Sequence, residues 1–195
     1  MTEAELQGLI KFLRDAERLK NVRRSAYTSD GHQESVAEHT WRVSLMAIIL
    51  AAEEADVDAS RLVRMCIVHD LGEAISGDIP APEQARRLSA GAPEGKSAAE
   101  RRDLVTLIEP LPPSLRDDIL SLWDEYEAAD TPTARLAKAL DKLETILQHT
   151  QGLNPPGFDY EFNLAYGRKH TESPPFVAAM RSILDRATEA RASER

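Results

Sequence analysis

The chain has 195 residues, one cysteine, and a net charge of −9 from 33 acidic against 24 basic side chains. That length can bury roughly 70% of the unfolded surface in one domain without disulfides or structural metal, and a single thiol excludes an internal disulfide framework. The acidic balance opposes broad-surface binding of a nucleic-acid polymer, although a local metal and one or two arginines could still hold a small phosphorylated molecule. The opening residues, Met1 to Leu6, lack the basic start and apolar stretch of a signal peptide. No apolar run approaches about 18 residues, so the expectation is a cytoplasmic protein with no membrane partner.

Thr2-x-x-Glu5 has the spacing of a capping box, and Leu6, Leu9, Ile10 and Leu13 follow at helical intervals, which predicts an amphipathic helix to about Lys20. Asn21 to Gln33 is polar and without period, with Asp30-Gly31 as a turn signal; it reads as a loop carrying Arg23, Arg24, Tyr27 and His32. Ser35-x-x-Glu38 repeats the capping pattern and opens a second helix with His39 in its first turns. A third helix runs from about Arg61 through Met65 and Cys66 to His69-Asp70, with its N-cap among Asp56 to Ser60. The link between these two helices is short, so they should form an antiparallel hairpin that brings His39 towards His69 and Asp70. Cys66 reads as a buried core residue.

If the third helix continues past Asp70, Glu73 falls on the same face as His69 and Asp70. Ionised acids beside a core segment need a cation, a strong hydrogen-bond network or solvent access. The bland alternative is a helix end where His69 and Asp70 simply face water. Gly77-Asp78-Ile79-Pro80-Ala81-Pro82 must leave the helical path, and Glu83 to Gly95 reads as a mobile surface loop. Helices are predicted from Ser97 to about Glu109 and from Leu115 to Glu127. Thr131-Pro132 caps another that stops near Gly152. On that helix Asp141, Glu144 and Gln148 share one flank of the apolar stripe, a position that lines clefts as often as it faces solvent. A short helix with Phe162 and Tyr166 and a last one from Ser173-Pro-Pro175 complete the chain, with the segment after Ala187 expected to fray.

His39, His69-Asp70 and Asp141 offer two imidazoles and two carboxylates from three helices. That donor set suits manganese, cobalt, iron or zinc, with magnesium a further option, better than calcium or a thiolate-bound structural zinc. Glu73 would be placed to move a proton. Structural or solvated roles for the same residues remain open on spacing alone, as does the choice between Arg23 and Arg24 for an anion contact. Lys142 and His149 read as structural or solvated.

These residues resemble the HD-domain phosphohydrolases and, more narrowly, the HD-domain 5′-deoxynucleotidases. The matching stretches are Leu19 to Arg24, Glu34 to Thr40, Val68 to Glu73, Gly77 to Pro80 and Ala139 to Gln148, in the right order along most of the chain. The resemblance implies an all-α, single-domain helical bundle over residues 1–195, with a core of about 19–150, C-terminal helices at about 158–190, and a metal site between helices. It implies that His39, His69, Asp70 and Asp141 hold the metal and that Glu73, aided by Asp78, is catalytic. Arg24 would contact phosphate, Asp78 and Ile79 would touch the nucleotide or a second metal, and Tyr27 stands where the family usually has tryptophan, bearing on sugar choice. The implied reaction is removal of phosphate from nucleoside 5′-monophosphates, preferably deoxy, and the family suggests a homodimer. Rival readings are another HD-type activity, a phosphodiesterase or (p)ppGpp-type hydrolase, or a regulatory module that binds metal and nucleotide without turnover.

Overall fold

A computed structural model describes residues 1–79 and 96–194. The expected surface loop Glu83 to Gly95 lies outside these residues. Helix α1 (Glu3–Ala16) begins at the expected capping box, in which Glu5 N–H donates to Thr2 Oγ1 at 3.2 Å and Thr2 N–H to Glu5 Oε2 at 2.6 Å. A 3-10 turn carries the chain on to Lys20. α2 (Val36–Leu50) opens the same way on Ser35 and Glu38, which fixes His39 one turn into the helix. α3 (Ala59–Val68) is capped by Asp58, whose carboxylate accepts from Arg61 N–H at 2.9 Å.

The third helix does not run straight on to Glu73. After Val68 the backbone tightens into i to i−3 hydrogen bonds, from Leu71 N to Val68 O and from Glu73 N to Asp70 O, before the single turn α4 (Glu73–Ser76). The chain is held there by close packing on α5 (Lys96–Ile108): a Cβ on Gly72 would come within 2.8 Å of the Glu100 carbonyl oxygen. Gly77, at φ +82°, then turns the chain out of the helical path.

α6 (Pro113–Ala128) and α7 (Pro132–Gln151) follow, the latter capped by Thr131 with proline at its first position. α7 is the centre of the bundle and packs against α2, α3, α6 and the last helix, α9 (Pro175–Ser193). Leu136, Leu140, Leu143 and Ile146 are buried along it, and so are the polar Asp141, Glu144, Gln148 and His149. Cys66 is buried and free, with its thiol pushed up to about 12 by burial, as a core residue should be.

Two expectations need correction. The segment read as a loop contains an antiparallel hairpin, β1 (Arg23–Tyr27) with β2 (Gln33–Ser35), turning at Gly31 with φ +91°. Strands this short and polar carry no alternation to read; they are held from outside, by Gln148 Nε2 donating to the Tyr27 carbonyl and Leu153 N–H donating to the Thr28 carbonyl at 2.9 Å. The C-terminal segment does not fray after Ala187 either: α9 reaches Ser193, because Arg191 bonds the Gly152 carbonyl at 2.9 Å and Tyr160 Oη at 3.0 Å. α8 (Glu161–Ala165) is a short helix beneath α9.

Gly152 is where β1 rests on α7, since a Cβ there would run into the Tyr27 carbonyl oxygen. Gly152→Ala should therefore cost about 1–3 kcal/mol, the usual penalty for overpacking. For a chain of this size that lowers Tm by roughly 2–4 °C per kcal/mol. Thermal melts followed by circular dichroism check this, and an unchanged Tm would show that the hairpin does not bear on the helix.

Candidate active site

The antiparallel packing of α2 and α3 sets His39 beside His69, with ring centroids 5.5 Å apart, and α7 supplies Asp141 from the third side. His39 Nε2 lies 3.4 Å from Asp141 Oδ1 and 3.8 Å from Asp70 Oδ2, and His69 Nε2 lies 3.1 Å from Asp70 Oδ2. Neither imidazole nitrogen has a hydrogen-bond partner of proper geometry among the described residues, although both are buried. Donors that share one first-row ion at about 2.1 Å sit roughly 3 Å apart when adjacent. The His69–Asp70 spacing matches that pattern, His39, His69 and Asp70 form a group able to hold a cation, and Asp141 stands beside that group on the His39 side. The donor set, two nitrogens and two carboxylates, fits a divalent transition metal.

Each donor is oriented from behind. His69 Nδ1–H donates to the Cys66 carbonyl at 2.8 Å, which leaves Nε2 bare towards the cluster. His39 Nδ1–H donates to the Glu144 carboxylate, and Glu144 is held by Arg42 through Nε at 2.7 Å. Tyr126 Oη and Lys142 Nζ donate to Asp141 Oδ2 at 2.7 and 2.8 Å. Such outer partners fix ring tautomers and ligand angles. Glu144 shares a flank with Asp141, so its nearness was legible. Its partner His39 was not; Glu34 heads one of the stretches that carry the resemblance, while Arg42 and Tyr126 carried no signal of a role beside the cluster. Lys142 and His149, read as structural or solvated, both face the cavity described next.

A cavity of about 330 Å³ opens onto the cluster, lined on this side by Arg24, Asp70, Glu73, Asp78, Ile79 and Asp141. Of the two arginines in the hairpin, Arg24 points inward. Its Nε is 3.2 Å from Glu34 Oε2, its NH1 3.8 Å from Asp70 Oδ2, and its NH2 donates to Thr145 Oγ1 at 3.1 Å. Arg23 is spent on the Gln33 carbonyl at the exterior. Tyr27 is not among the residues lining this cavity; its carbonyl accepts from Gln148 at the end of α7. Ser25 of the same strand lines the cavity instead. Phe162, Tyr166 and His170 close the far side.

The cluster sets its own protonation. Burial would raise Asp141 and Asp70, but Lys142 and the two imidazoles hold Asp141, and His69 above all holds Asp70, well below the ordinary carboxylate range. Burial and Arg24 push His39 down, yet Glu144 and Asp141 outweigh them and raise it to about 10. Burial, joined by Glu144, lifts Glu34 to about 7 against the pull of Arg24. Burial and then neighbouring lysines lower His170 to about 4, so it is neutral.

The HD domain family matches residues 16–180. Among curated relatives, the 5′-deoxynucleotidase HDDC2 of Bos taurus is 34% identical over 147 residues, 74% of this chain and 68% of that one. The Xenopus laevis protein of the same name is 32% identical over 182 residues, 89% of this chain and 86% of that one. Among solved structures, a predicted metal-dependent phosphohydrolase from Magnetospirillum magnetotacticum superposes with a TM-score of 0.78 at 28% identity, covering 96% of this chain and 97% of that one. The class is thus an all-α bundle with a metal-type cluster between helices. More narrowly, the chain belongs to the HD domain family.

The shifts give a direction to stability in metal-free protein. A raised His39 stabilises fully below its ordinary 6.5 and loses that contribution as pH rises through about 10. A raised Glu34 makes stability fall between its ordinary 4.5 and about 7. Asp70 and Asp141 act oppositely, losing their contribution only as pH falls below the ordinary 3.8. In chelator-treated protein Tm should decline with rising pH. Glu34→Gln should flatten the acidic part of that decline and His39→Gln the alkaline part; melts in which both variants keep the wild-type slope would contradict these assignments.

Proposed function

We propose that this protein is a metal-dependent 5′-deoxynucleotidase, hydrolysing the phosphate monoester of deoxynucleoside 5′-monophosphates. One observation carries the reading: two buried, bare imidazole nitrogens and two carboxylates at metal-ligand spacing open onto a cavity that also holds Arg24 and Glu73. The relatives named 5′-deoxynucleotidase support the substrate class.

In this reading His39 and His69 through Nε2, with Asp70 and Asp141, hold a divalent manganese, cobalt, iron or zinc ion, or magnesium. When bound, the ion supplies positive charge for the phosphoryl oxygens and acidifies water at the site. Arg24 takes a share of the phosphate charge. Burial opposes its guanidinium, but Asp70, Glu144, Asp78 and Glu34 keep it charged, and Glu34 and Thr145 hold it in place before substrate arrives. Glu73, buried at the cavity wall, accepts a proton from the attacking water and returns one to the departing 5′-oxygen, so that water and monoester become nucleoside and inorganic phosphate. Asp78 assists from the same wall, and Ile79 gives the nucleoside an apolar contact.

The same reading makes the enzyme a cytoplasmic homodimer acting on small molecules. Among the described residues no helix is long and apolar enough to cross a membrane. α2 turns Trp41, Leu45, Ile48 and Ile49 outward at one-turn intervals, an apolar stripe suited to a second copy.

The test is phosphate release from a panel of deoxy- and ribonucleoside 5′-monophosphates after loading with single divalent ions. Deoxynucleotides should be hydrolysed, and Glu73→Gln should lose about 10²-fold or more in turnover while keeping its metal. Release from no monophosphate with any ion would overturn the reading. Near-normal turnover in the variant would remove Glu73 from the chemistry.

A further inference from the structure

The cavity has a second wall that the hydrolytic chemistry does not use. Phe162 and Tyr166 stand one turn apart on and just after α8, with ring centroids 5.1 Å apart and planes tilted by 33°, and both line the cavity. Asn163, the buried residue of that helix, is spent on His149 Nδ1 at 2.7 Å, which leaves the two rings for the open side. Tyr166 lies close to the acid cluster: Lys142 Nζ is 5.3 Å from its ring centre while donating to Asp141.

This wall is built to stay in place. A five-residue helix has little stability of its own. Here Arg181, only 4% exposed, donates to the carbonyls of Asn163 at 2.7 Å, Leu164 at 3.0 Å and Tyr166 at 2.6 Å, and to Thr171 Oγ1 at 3.1 Å. Its Nε is held by Asp185 at 2.7 Å. A buried guanidinium is costly unless its donors are satisfied, so this clamp tolerates few other arrangements of the segment. Gly167, at φ +65°, lets the backbone close onto Lys142, where a Cβ would come within 2.7 Å of the lysine stem. The result is a fixed aromatic surface facing a cavity whose volume lies at the lower end of the range for small-molecule sites, roughly 300–1,000 Å³.

We infer that Phe162 and Tyr166 form the nucleobase subsite, stacking on the base while Arg181 acts as a positioning residue for the segment that carries them. The inference rests on the nucleotidase reading and adds to it where the base is held. Because every base has a π face, stacking on these rings should strengthen binding of every base rather than select one.

The experiment compares a deoxynucleoside 5′-monophosphate with 2-deoxyribose 5-phosphate, which lacks the base, on metal-loaded enzyme. Wild type should prefer the nucleotide. In Tyr166→Leu and Phe162→Leu the ratio of kcat/KM between the two substrates should fall roughly 5- to 100-fold, the range expected for loss of a base-aromatic stack. The loss should lie in KM, and Tyr166→Phe should restore the ratio. Circular dichroism verifies that each variant is folded; if one leucine variant is not, the other, or Phe162→Met, takes its place. A wild type that hydrolyses nucleotides while the folded variants keep its ratio would sink the stacking wall alone. A wild type inert on every nucleotide would take the nucleotidase reading down with it.

Discussion

Asp70, Asp141 and Glu144 are pulled into the same few ångströms of a helical core as His39 and His69, and burying that many carboxylates is unfavourable unless each meets a cation or a donor. The sequence resolves this conflict in two layers. An outer layer of Arg42, Tyr126, Lys142 and the Cys66 carbonyl satisfies the groups that face away from the centre. The inner atoms His39 Nε2 and His69 Nε2 are left without a hydrogen-bond partner among the described residues, beside the carboxylates of Asp141 and Asp70. A charge cluster satisfied from behind and bare in front is what a cation site requires.

The remaining architecture follows from holding that cluster steady. α7 is buried on nearly every side, so Asp141 and Glu144 are placed by the packing of four neighbouring helices. The hairpin has no core of its own, and its attachment to the end of α7 is what brings Arg24 to the cavity. The close contact of Gly72 with α5 and the tightened turns after Val68 then place Glu73 at the same cavity.

What could be read beforehand was governed by local rules. Thr2, Ser35, Asp58 and Thr131 cap helices through side-chain oxygens within three residues, so sequence alone places those ends. The antiparallel pairing of α2 and α3 similarly foretold that His39 would meet His69. The hairpin, the break after Val68 and the persistence of α9 depend on partners far along the chain, and no window of neighbouring residues contains them. The same distinction holds in the site. The four candidate metal ligands are marked by the family resemblance of the stretches that carry them, whereas the pairing of His39 with Glu144 across 105 residues arises only in three dimensions.

On the proposed reading, two imidazoles and two carboxylates from three helices hold one cation. X-ray absorption at the metal edge of protein loaded with a single equivalent of zinc or manganese addresses it most directly. The spectrum should fit a shell of nitrogen and oxygen donors only, with outer-shell scattering from two imidazole rings that drops to one ring in His39→Gln and in His69→Gln. A sulfur scatterer, or imidazole scattering unchanged in both variants, would place the ion elsewhere and contradict the account.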